Sequence, residues 1–386
     1  MSYVEVRSPS KGPAVVYALA AALLLALSVW TIYGEWHRVV PPHGLWDFGA
    51  FVASGRAAAE GLNPYGIYPP LTPHVVFPGF ETWNPNLNPP ISALLFQLFD
   101  LAPPETTFQV WNLISAACYL VVIALLAWRY APNGWAALLA VWALALAGFW
   151  DTLYLGQIYI PLVLSTVGAW LLLERRQWVF AGVLIGVVIA MKPNFLVWPV
   201  LLFLAGYRKS SIASVLCAAV ISAIPLVVYG PEIYRQWLEL VVSDGERAFF
   251  LTNASLSGFG ARAGIPLLGT ALSGLLLLAL AAWAFFKRPS VMRVSSFALL
   301  GAIMASPLGW IQYTLFLLPV MVAYWRQWPM WLVAAMLAIP VPIVLGYFGA
   351  APAVQLTVGS TYGWALVLCL VTLVFASEPE EPGRRA

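Results

Sequence analysis

The sequence predicts an all-α integral membrane protein of about twelve transmembrane helices, with further helices lying on its outer face, and three observations predict it. The 386 residues are 62% hydrophobic and 9% charged, where a soluble domain carries about 25% charged residues. An apolar surplus of that size has no water-soluble core to hide in. The apolar residues also come in runs bounded by charge or by Pro and Gly, and the basic residues divide unevenly between alternate connections.

The first run, 13–33, follows Arg7 and Lys11. It is longer than a signal-peptide core and lacks a small-x-small exit, so it reads as an uncleaved span. The remaining spans are 106–128, 135–150, 156–173, 178–191, 194–206, 210–229, 265–286, 292–305, 309–325, 328–348 and 361–376. The run 89–102, NPPISALLFQLFDL, is short and opens on Pro-Pro, and reads as a helix in the membrane interface. With that run off the span list, 13 of the 19 basic residues fall on the N-terminal side of the membrane. The exceptions are Arg38, Arg56, Lys192, Arg235, Arg247 and Arg262. Making 89–102 a span would move Arg175 and Arg176 outside, so the positive-inside rule favours twelve spans with both ends in the cytoplasm.

The chain is then one polytopic membrane domain, 1–376, followed by an acidic tail, 377–386, expected to be disordered and cytoplasmic. Two long connections, 34–105 and 230–264, lie on the outer side of the cytoplasmic membrane, while the cytoplasmic loops are a few residues each. The chemistry is therefore expected on the outer face. A net charge of +3 calls for no nucleic-acid partner. Cys118, Cys217 and Cys369 lie inside apolar runs and read as buried thiols.

Four places on that face carry candidate chemistry. Asp47 opens the stretch DFGAFVASGRAAAE just after the first span. An aspartate there can cap a helix, although Ala50 stands where a capping box wants Glu or Gln. A cap and a catalytic role are compatible. At 100° per residue Ser54 shares the face of Asp47 and Arg56 lies about 180° away, towards lipid headgroups. Lys192 lies between runs of 14 and 13 residues, both shorter than the ~20 needed to cross. Their hairpin tip would sit below the outer surface, where a charge is costly and points to function, here to an anionic lipid phosphate. A lysine snorkelling to the headgroups is the plainer alternative. The segments Asp151–Pro161 (DTLYLGQIYIP) and Ser306–Thr314 (SPLGWIQYT) supply Tyr154, Gln157, Trp310 and Gln312 at outer hairpin tips. Interfacial aromatics explain such turns. Amides that read hydroxyls and rings that pack on a sugar's C–H face explain them equally.

No nucleotide-binding loop, HExxH or GxSxG is present, and His37, His43 and His74 are not at ligand spacing. No metal and no cofactor are expected.

The order of motifs resembles glycosyltransferase family 87, the polyprenol-phosphate-mannose-dependent α-mannosyltransferases of the GT-C fold. The motifs are Asp47 after the first span, G-x-N-P-Y (Gly61–Tyr65), Pro89-Pro90, L-G-Q (Leu155–Gln157), K-P (Lys192-Pro193) and S-P-x-x-W (Ser306–Trp310). The resemblance covers about residues 13–325. It implies inverting transfer of a hexose, mannose by analogy, from a polyprenyl phosphate on the outer (periplasmic or extracellular) side. The acceptor would be a glycolipid or cell-envelope glycan, with membrane lipids around the site and Asp47 matching the family's catalytic acid. Tyr65 falls in the motif set as a sugar or acceptor contact. Family members often carry a histidine shortly after the Trp of S-P-x-x-W, where Gln312 and Tyr313 stand here.

The residues suit that chemistry. One positioned carboxylate can take the proton of an attacking hydroxyl, typically worth 10²–10⁴-fold. Phosphate is already a good leaving group and needs a cation, Lys192 or else Arg262, rather than a second acid. This differs from the paired carboxylates of glycosidases. Were Asp47 only a cap, the base would be sought at Asp151 or Glu246. Three rivals remain: a lipid-linked oligosaccharide polymerase or ligase with a pyrophosphate donor, which Arg235, Arg247 and Arg262 would serve; a multi-pass transporter, which would show internal repeats and midplane charges; and a non-catalytic member that only binds glycolipid.

The topology has a direct test. Cysteines introduced at Gly66 and Gly245 are expected to react with an impermeant thiol reagent applied outside, and one at Gln177 is not. Labelling at 177 from outside would overturn the twelve-span scheme.

Overall fold

The computed structural model describes residues 12–77, 80–131 and 134–377. The acidic tail from residue 378 onward, together with Arg7 and Lys11, lies outside the described residues. The chain is almost wholly helical. Among the described residues five helical stretches are long and apolar enough to cross a membrane: Tyr17–Val39, Pro104–Tyr130, Arg208–Tyr229, Pro266–Lys287 and Pro352–Phe375. The first belongs to α1 (Gly12–Val39), and the next three are α4 (Pro104–Tyr130), α10 (Arg208–Tyr229) and α13 (Pro266–Lys287). The last comprises α18 (Pro352–Leu356), a 3₁₀ turn and α19 (Thr361–Phe375).

The expected span 135–150 is a broken pair. Helix α5 (Trp135–Leu144) and helix α6 (Ala147–Leu155) meet at 44°. The break frees the Leu144 carbonyl, and the Trp150 indole N–H donates to it at 2.7 Å, which keeps a buried acceptor satisfied. The expected span 309–325 begins as a 3₁₀ turn over Ile311–Leu317 and continues as α15 (Leu318–Ala323). The expected span 328–348 divides into α16 (Trp328–Leu337) and α17 (Val341–Leu345) around Pro340 and Pro342, which lack the N–H that would continue the helical ladder.

Shorter apolar helices fill the centre: α7 (Tyr159–Glu174), α8 (Trp178–Met191), α9 (Val197–Leu204) and α14 (Val291–Met304). Every residue of α14 from Val294 to Met304 is buried, and so are residues 311–322. A 14-residue helix is only about 21 Å long, short of the ~30 Å hydrocarbon layer. Enclosure by longer neighbours lets such short pieces end inside the protein, so that side chains at their connecting tips, among them Lys192, Ser306 and Gln312, are buried.

Helix α8 packs on α10 through Gly182 and Gly186, one small-xxx-small step. A Cβ at Gly182 would stand 2.5 Å from the Ser210 carbonyl oxygen, and one at Gly186 would stand 2.5 Å from the Cys217 Cβ. Two membrane helices gain most of their attraction from this kind of close backbone approach.

The long connection 34–105 is built, not loose. Helix α2 (Trp46–Ala59) is buried along most of its surface, with Arg56 left exposed, because the rest of the connection folds back over it. Strands β1 (His74–Phe77) and β2 (Phe80–Trp83) form an antiparallel hairpin pairing His74 with Trp83, followed by α3 (Ile91–Phe96), the expected short Pro-Pro helix. The second long connection, 230–264, holds α11 (Glu232–Ser243) and α12 (Leu256–Arg262).

Overfilling a packed core typically costs 1–3 kcal/mol. Gly186→Val is therefore expected to lower the melting temperature of the detergent-solubilised protein by several degrees, whereas Gly274→Ala, with nothing within 4 Å of its Cβ, is expected to leave it unchanged.

Candidate active site

Asp47 sits in the first turn of α2. Trp46 before it has φ of 42°, a left-handed backbone that non-glycine residues rarely adopt and that is often found at functional sites. The helix has no side-chain cap, and Leu45 occupies the cap position, so Asp47 does not take the capping role that its sequence position allowed. Its carboxylate turns inward instead. The side-chain amides of Asn84 and Gln157 each donate to one carboxylate oxygen, both at 2.5 Å.

Gly156 delivers Gln157. It ends α6 with φ of 69°. A Cβ there would stand 2.6 Å from both Phe48 and Phe108, so only glycine makes this turn. The Trp111 indole then fixes the turn by donating to the Gly156 carbonyl at 3.0 Å. This accounts physically for the L-G-Q motif.

Asn84 comes from the segment after β2, where Asn84, Asn86 and Asn88 alternate with Pro85, Leu87 and Pro89. Prolines hold such a segment extended and remove N–H donors, and the asparagine side chains make the connections. Asn84 accepts from the Arg247 guanidinium, which also donates to the Trp83 carbonyl at 2.8 Å. Asn86 donates to Ser54 and Ser92 at 3.0 and 2.9 Å. Ser54 thus does face the Asp47 side, while Arg56 points away and pairs with Asp100.

Asn88 accepts from the Lys192 ammonium at 2.7 Å. Lys192 is 8% exposed. It also donates to the Tyr159 hydroxyl at 3.2 Å and lies 4.3 Å from the Tyr159 ring centroid. It does not snorkel outward; it is turned into the protein, where Asp47 and Lys192 feel each other's charge.

The Asp47 side chain retains some solvent contact but is packed about by protein. Burial pushes its carboxyl up to about 6, against the opposing pull of the Gln157 hydrogen bond, the Arg247 and Lys192 charges and the Asn84 hydrogen bond.

A second carboxylate lies close by. Asp151, on α6, accepts from the Gln312 amide at 2.7 Å and lies 3.8 Å from the Arg38 guanidinium. Arg38 bonds Glu35 at 2.6 Å and covers the Tyr154 ring at 4.4 Å. Tyr154 in turn packs on Trp46 at 5.2 Å.

The structure thus gathers Asp47, Gln157 and Lys192, and brings Tyr154 and Gln312 to the same recess. Tyr65 joins its edge, its hydroxyl donating to the Asn88 carbonyl at 3.2 Å. Arg262 and Trp310 form a neighbouring group. Buried Arg262 donates to the carbonyls of Phe250 and Asn253 at 2.8 and 3.1 Å, and Asn253 pairs with Trp310. The side chain of Glu246 lies outside the described residues. Among the described residues no group of three or more His, Cys, Asp and Glu side chains could hold a metal ion. Asn84, Asn88 and the placement of Arg247 were not foreseen; the alternating N-x-N-x-N run was the available signal.

A model of glycosyltransferase family 87 matches residues 86–307, more than half of the chain. The matched stretch contains Asn88, Asp151, Gln157, Lys192, Arg247 and Arg262, while Asp47, Trp310 and Gln312 lie outside it. The searches of curated proteins and of solved structures each gave no match.

Proposed function

The chain belongs to glycosyltransferase family 87 and is a membrane glycosyltransferase; from that premise we propose that it moves a hexose, mannose by family analogy, from a polyprenyl phosphate to a glycolipid or cell-envelope glycan, with inversion. The proposed setting is the outer face of the cytoplasmic membrane, with twelve spans in a GT-C-like arrangement and both ends in the cytoplasm. One observation carries the reading: a carboxylate held by two amides in the same recess as a buried lysine.

The acceptor hydroxyl oxygen attacks the anomeric carbon, its proton passes to Asp47, and the bond from that carbon to the phosphate oxygen breaks. The electron pair leaves with the phosphate, whose charge Lys192 offsets. Each Asp47 oxygen already accepts one amide N–H and keeps a second lone pair for the incoming hydroxyl. Two of the three ammonium N–H groups of Lys192 are used by Asn88 and Tyr159, which leaves one for the phosphate. Tyr65, Tyr154, Gln157, Trp310 and Gln312 are proposed to contact sugar or acceptor, with Arg262 as a further phosphate cation.

A second reading, a lipid-linked oligosaccharide polymerase or ligase with a pyrophosphate donor, draws on Arg247, which presents another cation beside Asp47. Family membership places the chain among enzymes rather than transporters.

Asp47→Asn is expected to reduce transfer at least about 100-fold. Its structural cost stays small, because the Gln157 amide can rotate to meet the new side chain. A base held near 6 is charged at pH 7 and protonated below that value. In the wild type kcat/KM is therefore expected to fall about tenfold per pH unit below pH 6, measured with purified protein and polyprenyl-phosphate hexoses. Near-normal transfer by the asparagine variant would remove Asp47 as the base.

Lys192→Ala is expected to weaken donor turnover by about 10- to 150-fold, the worth of a charge-assisted contact of roughly 1.5–3 kcal/mol. Lys192→Arg is expected to keep part of it. Parallel assays with pyrophosphate-linked donors decide between the two donor classes.

A further inference from the structure

Two glutamines repeat one arrangement. Gln157 gives its side-chain N–H to Asp47, and Gln312 gives its own to Asp151 at 2.7 Å. An ionised carboxylate accepts hydrogen bonds and does not donate them. The nitrogen end of each amide is therefore fixed against its acid, and the oxygen end must face the other way. Burial pushes the Asp151 carboxyl up to about 7 against the pull of Arg38, 3.8 Å away, so the ionised form that sets this orientation prevails above that pH.

Neither outward-facing Oε1 atom meets a hydrogen-bond partner among the described protein groups, although both are buried. Gln312 as a whole is 4% exposed. Buried acceptors without partners are rare and costly in folded proteins. Here there are two, each rigidly aimed by a carboxylate.

The two pairs lie near one another. Asp47 and Asp151 feel each other's charge. Tyr154, three residues after Asp151, packs on Trp46 beside Asp47. Tyr313, next to Gln312, lies 4.8 Å ring to ring from Tyr159, which holds Lys192. The unpartnered acceptors thus belong to residues linked, through Asp47, Asp151 and the Tyr313–Tyr159 contact, to both the base and the phosphate-binding cation.

We infer that Gln157 and Gln312 are specificity-determining residues for the transferred hexose, each accepting a hydrogen bond from one of its hydroxyls, and that Asp151 is a positioning residue that holds Gln312 in the accepting orientation. This rests on the reading of the reaction as hexose transfer from a polyprenyl phosphate. It deepens that reading by stating what the sugar must offer: two hydroxyl donors, one toward each amide oxygen. A donor deoxygenated at either position leaves a buried acceptor unpaired, which is how a hydrogen-bonding site rejects an analogue.

The test is a matrix of purified wild-type and variant proteins against polyprenyl-phosphate mannose and its 2-, 3-, 4- and 6-deoxy forms. For each protein kcat/KM is expressed as a ratio to that for the intact donor, so that a general loss of activity cancels. The wild type is expected to lose about tenfold or more with two of the four analogues. Gln312→Leu is expected to erase one penalty and Gln157→Leu the other. Gln312→Asn, shorter by one methylene and still polar, is expected to act as Gln312→Leu does and covers poor folding of the leucine variant. Asp151→Asn is expected to shrink the Gln312-linked penalty below about threefold and leave the Gln157-linked one intact, a selective change that a purely structural role would not produce. Wild-type penalties persisting in both Gln312 variants would overturn the inference while leaving the reaction standing. No wild-type transfer from any intact polyprenyl-phosphate hexose would overturn the reaction and the inference with it.

Discussion

A charge placed away from water must be met by protein, and the site built around Asp47 and Lys192 is organised around that requirement. Asp47 receives two amide N–H groups, and Lys192 receives an amide oxygen, a phenol and an aromatic face. Lone ions in such a place would be strongly disfavoured. The two charges and their partners come from four parts of the chain: the start of α2, the post-hairpin segment, the turn from α6 into α7 and the tip after α8. Meeting two charges is therefore enough to dictate where those parts come together.

Side-chain amides suit this task. A carboxamide donates at one end and accepts at the other without adding charge, so it can link an acid to a base or an arginine. Asn84 does so between Asp47 and Arg247, and Asn88 carries the bonding on to Lys192. The acid can then stay partly desolvated, with its proton affinity raised by burial and moderated by donors and nearby cations. That balance suits a group that must be charged at neutral pH and still be able to take up a proton.

Much of this was legible in the chain. Hydrophobic runs announced a helical membrane protein, Asp47 stood out as a lone acid just after the first span, and Gln157 and Lys192 stood out as polar residues at hairpin tips. The breaks at 145–146 and 340–342 were less legible, because an apolar run has the same composition whether its helix is continuous or bent. The buried setting of α2 was hidden for a related reason: FGAFVASGRAAA can face lipid or a folded-back loop, and only tertiary packing decides. The Asp47 cap was a sound expectation from local rules, set aside because two distant amides reach the same carboxylate. Val-Val-Phe-Pro-Gly-Phe carried a hairpin signature inside a segment otherwise read as a loop. The asparagine run carried its own signal, a regular alternation with proline, whose meaning depended on partners 37, 104 and 163 residues away in sequence.

The double engagement of Asn84 has a consequence for how such a protein changes over generations. Its oxygen is committed to Arg247 on one outer connection and its nitrogen to Asp47 on the other. A residue that replaces it must supply both an acceptor and a donor, and few do. The two connections, more than 160 residues apart in the chain, are thus constrained to drift as a pair. A substitution in one alters which substitutions the other can tolerate, and sequence change on this face should proceed by coordinated exchanges rather than by independent single steps.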